Sequence, residues 1–222
     1  MFDFQLCEIM LEVKSFQFNP FGVNTYILWD ESLSGIIIDS GNSTNDENQQ
    51  LLSFIQNKSL KIEGLYLTHL HIDHILGANF LSNYFDLPVK AHPQGGFLFD
   101  KASEYAASLG FSYDQNPEKI EYIDESHQIT FGSLMGSCIY TPGHVDGSLC
   151  FYFEKAAVLF SGDVLFRQGV GRTDLETGDF STLEHSIRRK LYSLPDDTIV
   201  FPGHGPSTSI SFEKRYNPFF NV

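Results

Sequence analysis

Seven consecutive residues carry four side chains of the kinds that bind metal ions in proteins. The run THLHIDH at 68–74 contains three histidines and one aspartate. On extended backbone His69 and His71 point to the same side, because side chains two positions apart share a face, with Cα atoms roughly 6 to 7 Å apart. The two could therefore hold one ion together. Asp73 and His74 follow at a turn into a helix, so we expect them to face a different direction and to serve a second ion close to the first.

The donor types narrow the choice of metal. Imidazole nitrogens and carboxylate oxygens at this density suit Zn²⁺, and Fe²⁺ and Mn²⁺ are the alternatives. A single histidine at a strand end is more often a packed or surface residue than a ligand, and we interpret His92, His127 and His185 in that way. A cluster of ligand-type side chains is much harder to explain as packed or surface residues. The run at 68–74 therefore predicts a metal centre.

Three more ligand-type side chains follow predicted apolar strands later in the chain. His144 comes after GSCIYTPG, Asp163 after AAVLFSG and His204 after TIVFPG. A glycine directly precedes each of them and lets the backbone approach its neighbours closely. The shared pattern indicates that several strands deliver ligands to one edge of the fold.

The elements that must position these residues are predicted from hydrophobic periodicity and turn residues. Strands are predicted at 11–18, 24–30, 35–41, 64–69, 88–92, 127–131, 136–141, 148–153, 157–163 and 198–205. Helices are predicted at 45–58, from 75 to the break at 86–88, at 97–109 and at about 179–192. We expect the segment 93–124 to be an excursion from the core.

The order of these elements predicts an α/β (α+β) protein. Two strand-rich halves, each closing with helices and polar turns, favour two sheets packed on one another with helices outside. An ordinary α+β fold is the alternative that the pattern leaves open. With 222 residues, of which 42% are hydrophobic, the chain can bury one substantial core. We therefore predict a single domain over 1–222.

The charge balance excludes several classes of partner. The chain has 14 lysines and arginines against 28 aspartates and glutamates, a net charge of −14, and such a surface repels nucleic acid and anionic lipid. Cys7, Cys138 and Cys150 form no CxxC pattern and predict no disulfide framework. The acidic start is unlike a signal peptide, and no stretch approaches the ~20 apolar residues of a membrane span. We expect a cytoplasmic protein, monomeric or a small homo-oligomer, that acts on a small molecule.

Four segments, in this order along the chain, resemble those of a known family. They are THLHIDH at 68–74, TPGHVDGSLCFY at 141–152, FSGDVLFRQGVGRTD at 160–174 and FPGHGPST at 201–208. Together they resemble the metallo-β-lactamase fold superfamily, and within it the short, single-domain glyoxalase II-like (hydroxyacylglutathione hydrolase-like) hydrolases. The resemblance implies an αββα sandwich of two mixed β-sheets with outer helices and a dinuclear metal site on one edge.

The resemblance also implies a role for each ligand-type residue. By position it assigns His69, His71 and His144 to a first ion, Asp73, His74 and His204 to a second, and Asp163 to a bridge between them. Two divalent ions lower the pKa of a shared water, and the resulting hydroxide attacks a carbonyl carbon whose developing negative charge the ions stabilise. Asp73 would be catalytic, since it would both ligate and orient that water. The chain has no GxSxG nucleophile elbow.

The substrate depends on the loop after Asp163. Glyoxalase II proper has a lysine and a tyrosine there, which bind glutathione, and Arg172 and Asp174 stand at the matching positions. The planar fork of Arg172 can grip a carboxylate, whereas Asp174 cannot replace a phenol. We predict Arg172 as a substrate-binding residue. The alternative is an Arg172–Asp174 pair that only stabilises the loop.

Several functions remain open at this stage. The favoured one is hydrolysis of a thioester such as a hydroxyacylglutathione. The main rival is a mononuclear iron persulfide dioxygenase, because the run GRTD at 171–174 also occurs in those members of the superfamily. Another ester or lactone hydrolase of the same fold is a further alternative. A metal-stabilised binding protein without turnover is less well supported. Structural zinc is usually closed by four protein ligands, whereas the site expected here keeps an open position for water.

Overall fold

The strands of the first half form one mixed sheet in the computed structural model, which describes residues 11–113 and 115–221. These strands are β1 (Glu12–Phe18), β2 (Val23–Trp29), β3 (Ser34–Ile38), β4 (Lys61–Tyr66), β5 (Val89–Ala91) and β6 (Ile120–Tyr122). They lie side by side in chain order. The first three strands pair antiparallel and the pairs from β3 to β6 are parallel.

The second half forms a second mixed sheet. Its strands are β7 (Gln128–Phe131), β8 (Leu134–Tyr140), β9 (Leu149–Phe153) and β10 (Val158–Gly162), then, after the small hairpin β11 (Leu165–Phe166) and β12 (Gly169–Val170), β13 (Ile199–Pro202) and β14 (Thr208–Ser209). The order across the sheet is β14-β13-β10-β9-β8-β7. Only the pair β10 and β13 is parallel.

Helices cover the outer face of each sheet. The first sheet carries α1 (Asn45–Lys58), α2 (Ile72–Ile75), α3 (Ala78–Phe85) and α4 (Phe97–Ser108), whose buried residues share one hydrophobic cluster with that sheet. The second sheet carries α5 (Phe180–Ser186), which continues as a π-helical turn over Ile187–Leu191, and α6 (Ile210–Tyr216). A capping box at Thr44 and Glu47 begins α1, and this helix has the predicted bounds.

Alternating side chains hold the layers together. In β2, Ile27 packs under the helices, whereas Tyr26 and Leu28 face the second sheet. In β9, Phe151 faces the first sheet, whereas Cys150 packs under the helices of the second half. Because successive side chains of a strand point to opposite faces, strands covered on both sides are apolar throughout. The αββα sandwich of two mixed sheets is therefore confirmed.

Two predicted elements around the histidine run have different bounds. The strand predicted at 64–69 ends at Tyr66, because the Thr68 N–H donates to the Asp39 carboxylate at 2.8 Å instead of to a neighbouring strand. The helix predicted from 75 onward is broken after α2. Gly77 packs against Asn42, where a Cβ atom would lie 2.2 Å from the amide, and the Gly77 N–H donates to Ser40 O.

The prediction that 93–124 leaves the core was wrong. Helix α4 buries Leu98, Phe99 and Ala102 in the cluster under the first sheet. Farther on, β6 pairs with β5 and forms the edge of that sheet. A strand of three residues is too short to show an alternating pattern, so its place in the sheet depends on the neighbour with which it pairs.

The two sheets are joined by hydrogen bonds at one edge of the sandwich. The Asn24 N–H of β2 donates to Gly203 O at 2.7 Å, and the Leu149 N–H of β9 donates to Thr68 O at 2.8 Å. The Tyr26 hydroxyl donates to Pro202 O at 2.7 Å. These contacts hold the chain segments that follow β4 and β13 at fixed positions relative to each other.

Cys138 and Cys150 are buried free thiols, in agreement with the prediction for those two residues, and Cys7 lies outside the described residues. Across 11–113 and 115–221, the helices are too short or too polar to cross a membrane.

The turn after β2 offers a test of how strongly the sheets are joined. The buried Asp30 carboxylate accepts hydrogen bonds from the N–H and hydroxyl of Ser32 and from those of Ser133, in the turn between β7 and β8. Asp30→Ala should lower the free energy of unfolding by about 2 kcal/mol, since it removes the buried, charged acceptor of four hydrogen bonds. Urea denaturation at pH 7 measures this loss. Glu31→Ala, at an exposed neighbouring carboxylate, is the control and should change stability by less than ~0.5 kcal/mol.

The same variant should show a defined pH dependence. Burial acts to raise the pKa of Asp30, but the hydrogen bonds from Ser32 and Ser133 outweigh burial, and the pKa lies below its usual value. A carboxylate with a depressed pKa stabilises the folded state above its unfolded pKa of ~4, and this contribution is lost as the pH falls through the folded pKa. The difference between wild type and Asp30→Ala should therefore shrink in acid. A difference that grows below pH 4 would contradict the role of the ionised carboxylate.

Candidate metal centre

The seven ligand-type residues predicted from the sequence meet at one edge of the sandwich. They follow the carboxyl ends of four strands, with His69, His71, Asp73 and His74 after β4, His144 after β8, Asp163 after β10 and His204 after β13. Both sheets contribute, since β4 belongs to the first and the others to the second. This is the convergence that the glycine-rich strand ends predicted.

Three histidines form one group of donor atoms. His69 Nε2 lies 3.1 Å from His71 Nδ1, and His144 Nε2 lies 2.9 Å from the same atom. The three side chains are buried or nearly so and can offer their nitrogens to one ion. His71 reaches this position by extended backbone, φ −63° and ψ 147°, immediately before α2.

A second group combines two histidines with a carboxylate. Asp73 Oδ2 lies 3.2 Å from His204 Nε2 and 3.7 Å from His74 Nε2. The first turn of α2 turns Asp73 and His74 away from His71, as expected from the sequence. The three atoms lie close enough together to hold one ion.

Asp163 lies between the two groups. Its Oδ1 atom is 3.4 Å from His74 Nε2. Its Oδ2 atom is 3.5 Å from His204 Nε2 and 3.8 Å from His144 Nε2. A single carboxylate thus reaches members of both groups, which is the position that a bridging ligand needs.

The polar atoms of the site fit a divalent cation. His74 Nε2 and Asp163 Oδ1 are buried and have no hydrogen-bond partner in the part of the chain that the structure describes. Buried polar atoms without partners cost free energy, and both of these atoms point into the shared space. Nitrogen and carboxylate donors at such density are the ligand set of Zn²⁺ and related metals.

Outer hydrogen bonds orient the ligand histidines. His144 Nδ1 donates to Arg172 O at 2.7 Å, and His204 Nδ1 donates to Phe21 O at 3.1 Å. With Nδ1 as the donor, Nε2 keeps its lone pair toward the site. His71 differs, because its Nδ1 faces the site and its Nε2 is buried without a partner among the described residues.

Asp39 is an orienting residue that sequence reasoning missed. His74 Nδ1 donates to Asp39 Oδ2 at 2.9 Å, and the Thr68 hydroxyl donates to the same atom at 2.9 Å. The Thr68 oxygen in turn lies 3.1 Å from His69 Nδ1. Asp39 has the left-handed backbone φ of 58°, which is costly for a side chain with a Cβ and persists where function or packing requires it. Its signal in the sequence was the aspartate that ends the apolar run GIIID.

Burial keeps the first group neutral. Desolvation lowers the pKa of His71 to about 3, and the neighbouring His144 adds to this effect. The pKa values of His69 and His144 are lowered as well, mainly by burial. Neutral imidazoles present lone pairs and are therefore ready to bind a cation.

In the second group, nearby carboxylates raise the pKa of a histidine. Burial acts to lower the pKa of His74, but Asp39, Asp73 and Asp163 outweigh burial and hold the pKa well above its usual value. The same histidine holds the pKa of Asp163 below its usual value, against the effect of burial. Negative charge is thus concentrated around this half of the site, which favours a cation there.

Gly203 allows the close approach of His204 to the centre. A Cβ atom at this position would lie 2.2 Å from Asp163 Oδ1 and 2.8 Å from His74 Cε1. A larger residue would have to displace a ligand. The glycine before His204, noted in the sequence as a permissive residue, is therefore required by the packing of the site itself.

A cavity of about 770 Å³ opens beside the centre. Among the residues that line it are Asp73, Asp163 and His204 from the site and Arg172 from the loop after β12. The Arg172 guanidinium makes two hydrogen bonds of 2.7 Å to the Asp174 carboxylate. Arg172 therefore reaches the cavity, as a substrate-binding residue must, but in the paired form that was the alternative prediction.

The remaining histidines lie outside the ligand groups. His92 stacks on Tyr140 with ring centroids 4.6 Å apart, and His127 Nε2 lies 3.4 Å from the Tyr66 hydroxyl. His185 is exposed on α5. Within 11–113 and 115–221, none of the three belongs to a group that could hold an ion, in agreement with the sequence interpretation.

Comparison with known proteins gives the same family as the motifs. The profile of the Metallo-beta-lactamase superfamily matches residues 18–204. Hydroxyacylglutathione hydrolase GloC of Haemophilus influenzae is 34% identical over 213 residues, which are 95% of this chain and 99% of GloC.

Two solved structures are similar over nearly their whole length. BLEG-1 B3 metallo-beta-lactamase is 34% identical with a TM-score of 0.84, covering 95% of this chain and 100% of that one. TTHA1623, crystallised in a di-iron-bound form, is 35% identical with a TM-score of 0.84, covering 93% of this chain and 100% of that one. On sequence and fold together, the chain belongs to the metallo-beta-lactamase superfamily.

Proposed function

We propose that this protein is a dinuclear metal-dependent hydrolase that cleaves a thioester, with hydroxyacylglutathiones as the first compounds to test. One observation carries the proposal. Two groups of donor atoms share the Asp163 carboxylate at the floor of an open cavity. Superfamily membership supports hydrolysis in general, and the similarity to GloC supports a thioester.

The distances between donor atoms support a division into two ligand sets, with His69, His74 and Asp163 close together where the sets meet. His69, His71 and His144 would hold one ion, Asp73, His74 and His204 the other, and Asp163 would bridge them. The fold family binds divalent metals, and we propose Zn²⁺ from the donor types. Fe²⁺ and Mn²⁺ are the alternatives, and the similar TTHA1623 holds two irons.

The reaction consumes one water. When bound, two such cations supply a hydroxide at neutral pH and polarise the carbonyl oxygen. The carbon–sulfur bond breaks, a carbon–oxygen bond forms, and the products are a carboxylate, a thiol and one proton. The Asp73 side chain is 15% exposed and borders the cavity, so it is placed to accept a hydrogen bond from the attacking water and to orient it.

The site also bears on the domain organisation and on the rival function. Because ligands come from both sheets, we propose that 1–222 forms one domain.

A persulfide dioxygenase needs one iron, and the complete second group of Asp73, His74 and His204 favours the dinuclear hydrolase over it. Action on a different ester or a lactone would use the same chemistry. A small molecule that fits the cavity is the proposed substrate, and the cytoplasmic location and the monomeric or small homo-oligomeric state remain predictions.

The decisive experiment separates hydrolysis from oxygenation. Purified protein reconstituted with Zn²⁺ or Fe²⁺ should release thiol from S-lactoylglutathione or a simpler thioester, because each ion set activates water. Thiol release is followed with a chromogenic disulfide, and oxygen uptake with glutathione persulfide is measured in parallel. One iron per chain, oxygen uptake and no thiol release from any thioester would overturn the proposal.

Histidine variants test the two groups separately. His144→Ala and His204→Ala should each lower the bound metal from about two ions to about one per chain, because each removes a ligand from a different group. Hydrolysis should fall at least ~100-fold in both. Metal content is measured by elemental analysis. His185→Ala removes an exposed histidine and is the matched control, which should keep both ions. Equal metal content in all three variants would contradict the assignment.

Asp39→Asn tests the orienting hydrogen bonds. The amide keeps the shape of the side chain but binds the His74 N–H and the Thr68 donors more weakly, so metal affinity should fall about 10–100-fold. Competition with a chromophoric chelator measures the affinity. Asp46→Asn, at an exposed carboxylate of α1, is the control. Unchanged affinity in Asp39→Asn would show that His74 needs no such partner.

A further inference from the structure

Part of the wall of the cavity beside the metal centre is apolar. It contains Phe21, Leu109 and Leu175, which come from the turn between β1 and β2, the end of α4 and the loop after β12. Their exposed fractions are 44%, 48% and 40%. Large apolar side chains are seldom left in water as a group without a function. Three separate segments therefore place exposed apolar surface around one cavity.

One of these side chains, Phe21, is held in position by contacts with the rest of the fold. The Phe21 ring packs against Phe111 with centroids 5.5 Å apart. Its turn is tied down by Asn19, whose side-chain amide donates to Gly41 O and Asp73 O at 2.9 Å each. The Phe21 carbonyl accepts the hydrogen bond from His204. The turn that carries Phe21 is thus fixed next to Asp73 and His204 of the site.

Outside the metal groups, the charged side chains of the cavity wall are more acidic than basic. Arg172 is the one basic side chain among the described lining residues there, and Asp174 accepts two hydrogen bonds from one edge of its guanidinium, from Nε and Nη2. Glu176 also lines the cavity, and its nearest basic partner is Lys101 at 3.8 Å. A substrate carboxylate that approached Arg172 would lie beside the Asp174 and Glu176 carboxylates, which repel it.

We propose that the cavity selects uncharged substrates with an apolar acyl group, and that Phe21, Leu109 and Leu175 determine this specificity. The inference rests on the proposed thioester hydrolysis and refines its substrate class. Glutathione thioesters carry two carboxylates in the thiol part and are then cleaved, but with a lower kcat/KM than neutral thioesters that have an apolar acyl group. In the Arg172–Asp174 pair, the aspartate offsets the positive charge that would attract a substrate carboxylate.

The test compares acyl groups on one neutral thiol, N-acetylcysteamine, with the metal-loaded protein. Octanoyl, butanoyl and succinyl thioesters differ in apolar length or in one terminal carboxylate. Octanoyl should exceed butanoyl in kcat/KM by about tenfold, since each additional buried methylene group is favourable. The kcat/KM of the succinyl thioester should fall about tenfold below that of the butanoyl thioester, because Asp174 and Glu176 repel its carboxylate. Equal values for all three, or a preference for succinyl, would overturn the proposal.

Variants assign the preference to the named residues. Leu109→Asp and Phe21→Ala should each reduce the octanoyl-to-butanoyl ratio to about one. Phe21→Ala keeps the backbone carbonyl that His204 needs, so metal content should not change. Met135→Ala, at an exposed apolar residue of β8 that does not line the cavity, is the control and should keep the ratio. Asp174→Asn removes the carboxylate that pairs with Arg172. The kcat/KM of the succinyl thioester should therefore rise toward that of the butanoyl thioester. Unchanged ratios in all the cavity variants would refute the assignment.

A binding measurement separates this inference from the reaction itself. The ketone 2-nonanone is neutral, apolar and cannot be hydrolysed. Calorimetric titration should show binding to the metal-loaded wild type and to Met135→Ala, and binding at least tenfold weaker to Leu109→Asp. If this pattern holds while no thioester is hydrolysed, the hydrolase proposal fails and the apolar specificity of the cavity stands. If 2-nonanone binds wild type and Leu109→Asp equally, the specificity inference fails whatever the hydrolysis shows.

Discussion

The arrangement of the site depends on the hydrogen bonds that the Asp39 carboxylate accepts. It accepts the Thr68 N–H and so ends β4 at Tyr66, three residues before His69, the first histidine of the site. It also accepts the Thr68 hydroxyl and His74 Nδ1. A single buried charge therefore releases the chain from the sheet, sets the direction of the segment that carries His69 and orients His74. The left-handed backbone of Asp39 is a local cost that these three hydrogen bonds offset.

The second requirement is that two sheets place their strand ends together. The hydrogen bonds from Asn24 to Gly203 and from Leu149 to Thr68 cross from one sheet to the other at the edge where the ligands lie. Gly203 then allows His204 to sit against Asp163, since a Cβ atom would occupy the space of the carboxylate. Because protein interiors are close-packed, small shifts at this edge would change both ligand groups at once. The arrangement of the proposed ligands and the joining of the two sheets thus depend on the same contacts.

The proposed chemistry and the proposed specificity reside in different parts of the molecule. The ligands follow strands of the two sheets, whose positions are set by buried side chains on both faces. The cavity wall, by contrast, comes from a turn, a helix end and a loop, which can vary without disturbing the core. This division explains how a fold shared with a B3 metallo-beta-lactamase and with GloC can present an apolar, acidic-rimmed cavity. The Arg172–Asp174 pair is a property of the loop alone.

The sequence by itself determined the seven ligand-type residues, the two strand-rich halves and the bounds of α1, because these depend on local patterns: donor spacing, strand-end glycines and helix caps. It did not reveal Asp39 as a partner of His74, since the two are 35 positions apart and a lone aspartate at a strand end has no distinctive pattern. Nor did it show that β6 belongs to the first sheet or that Leu109 and Phe21 share a wall. Such facts depend on which distant segments pack together, and that is decided by the tertiary structure, in which burial and hydrogen bonding of the whole chain are satisfied at once.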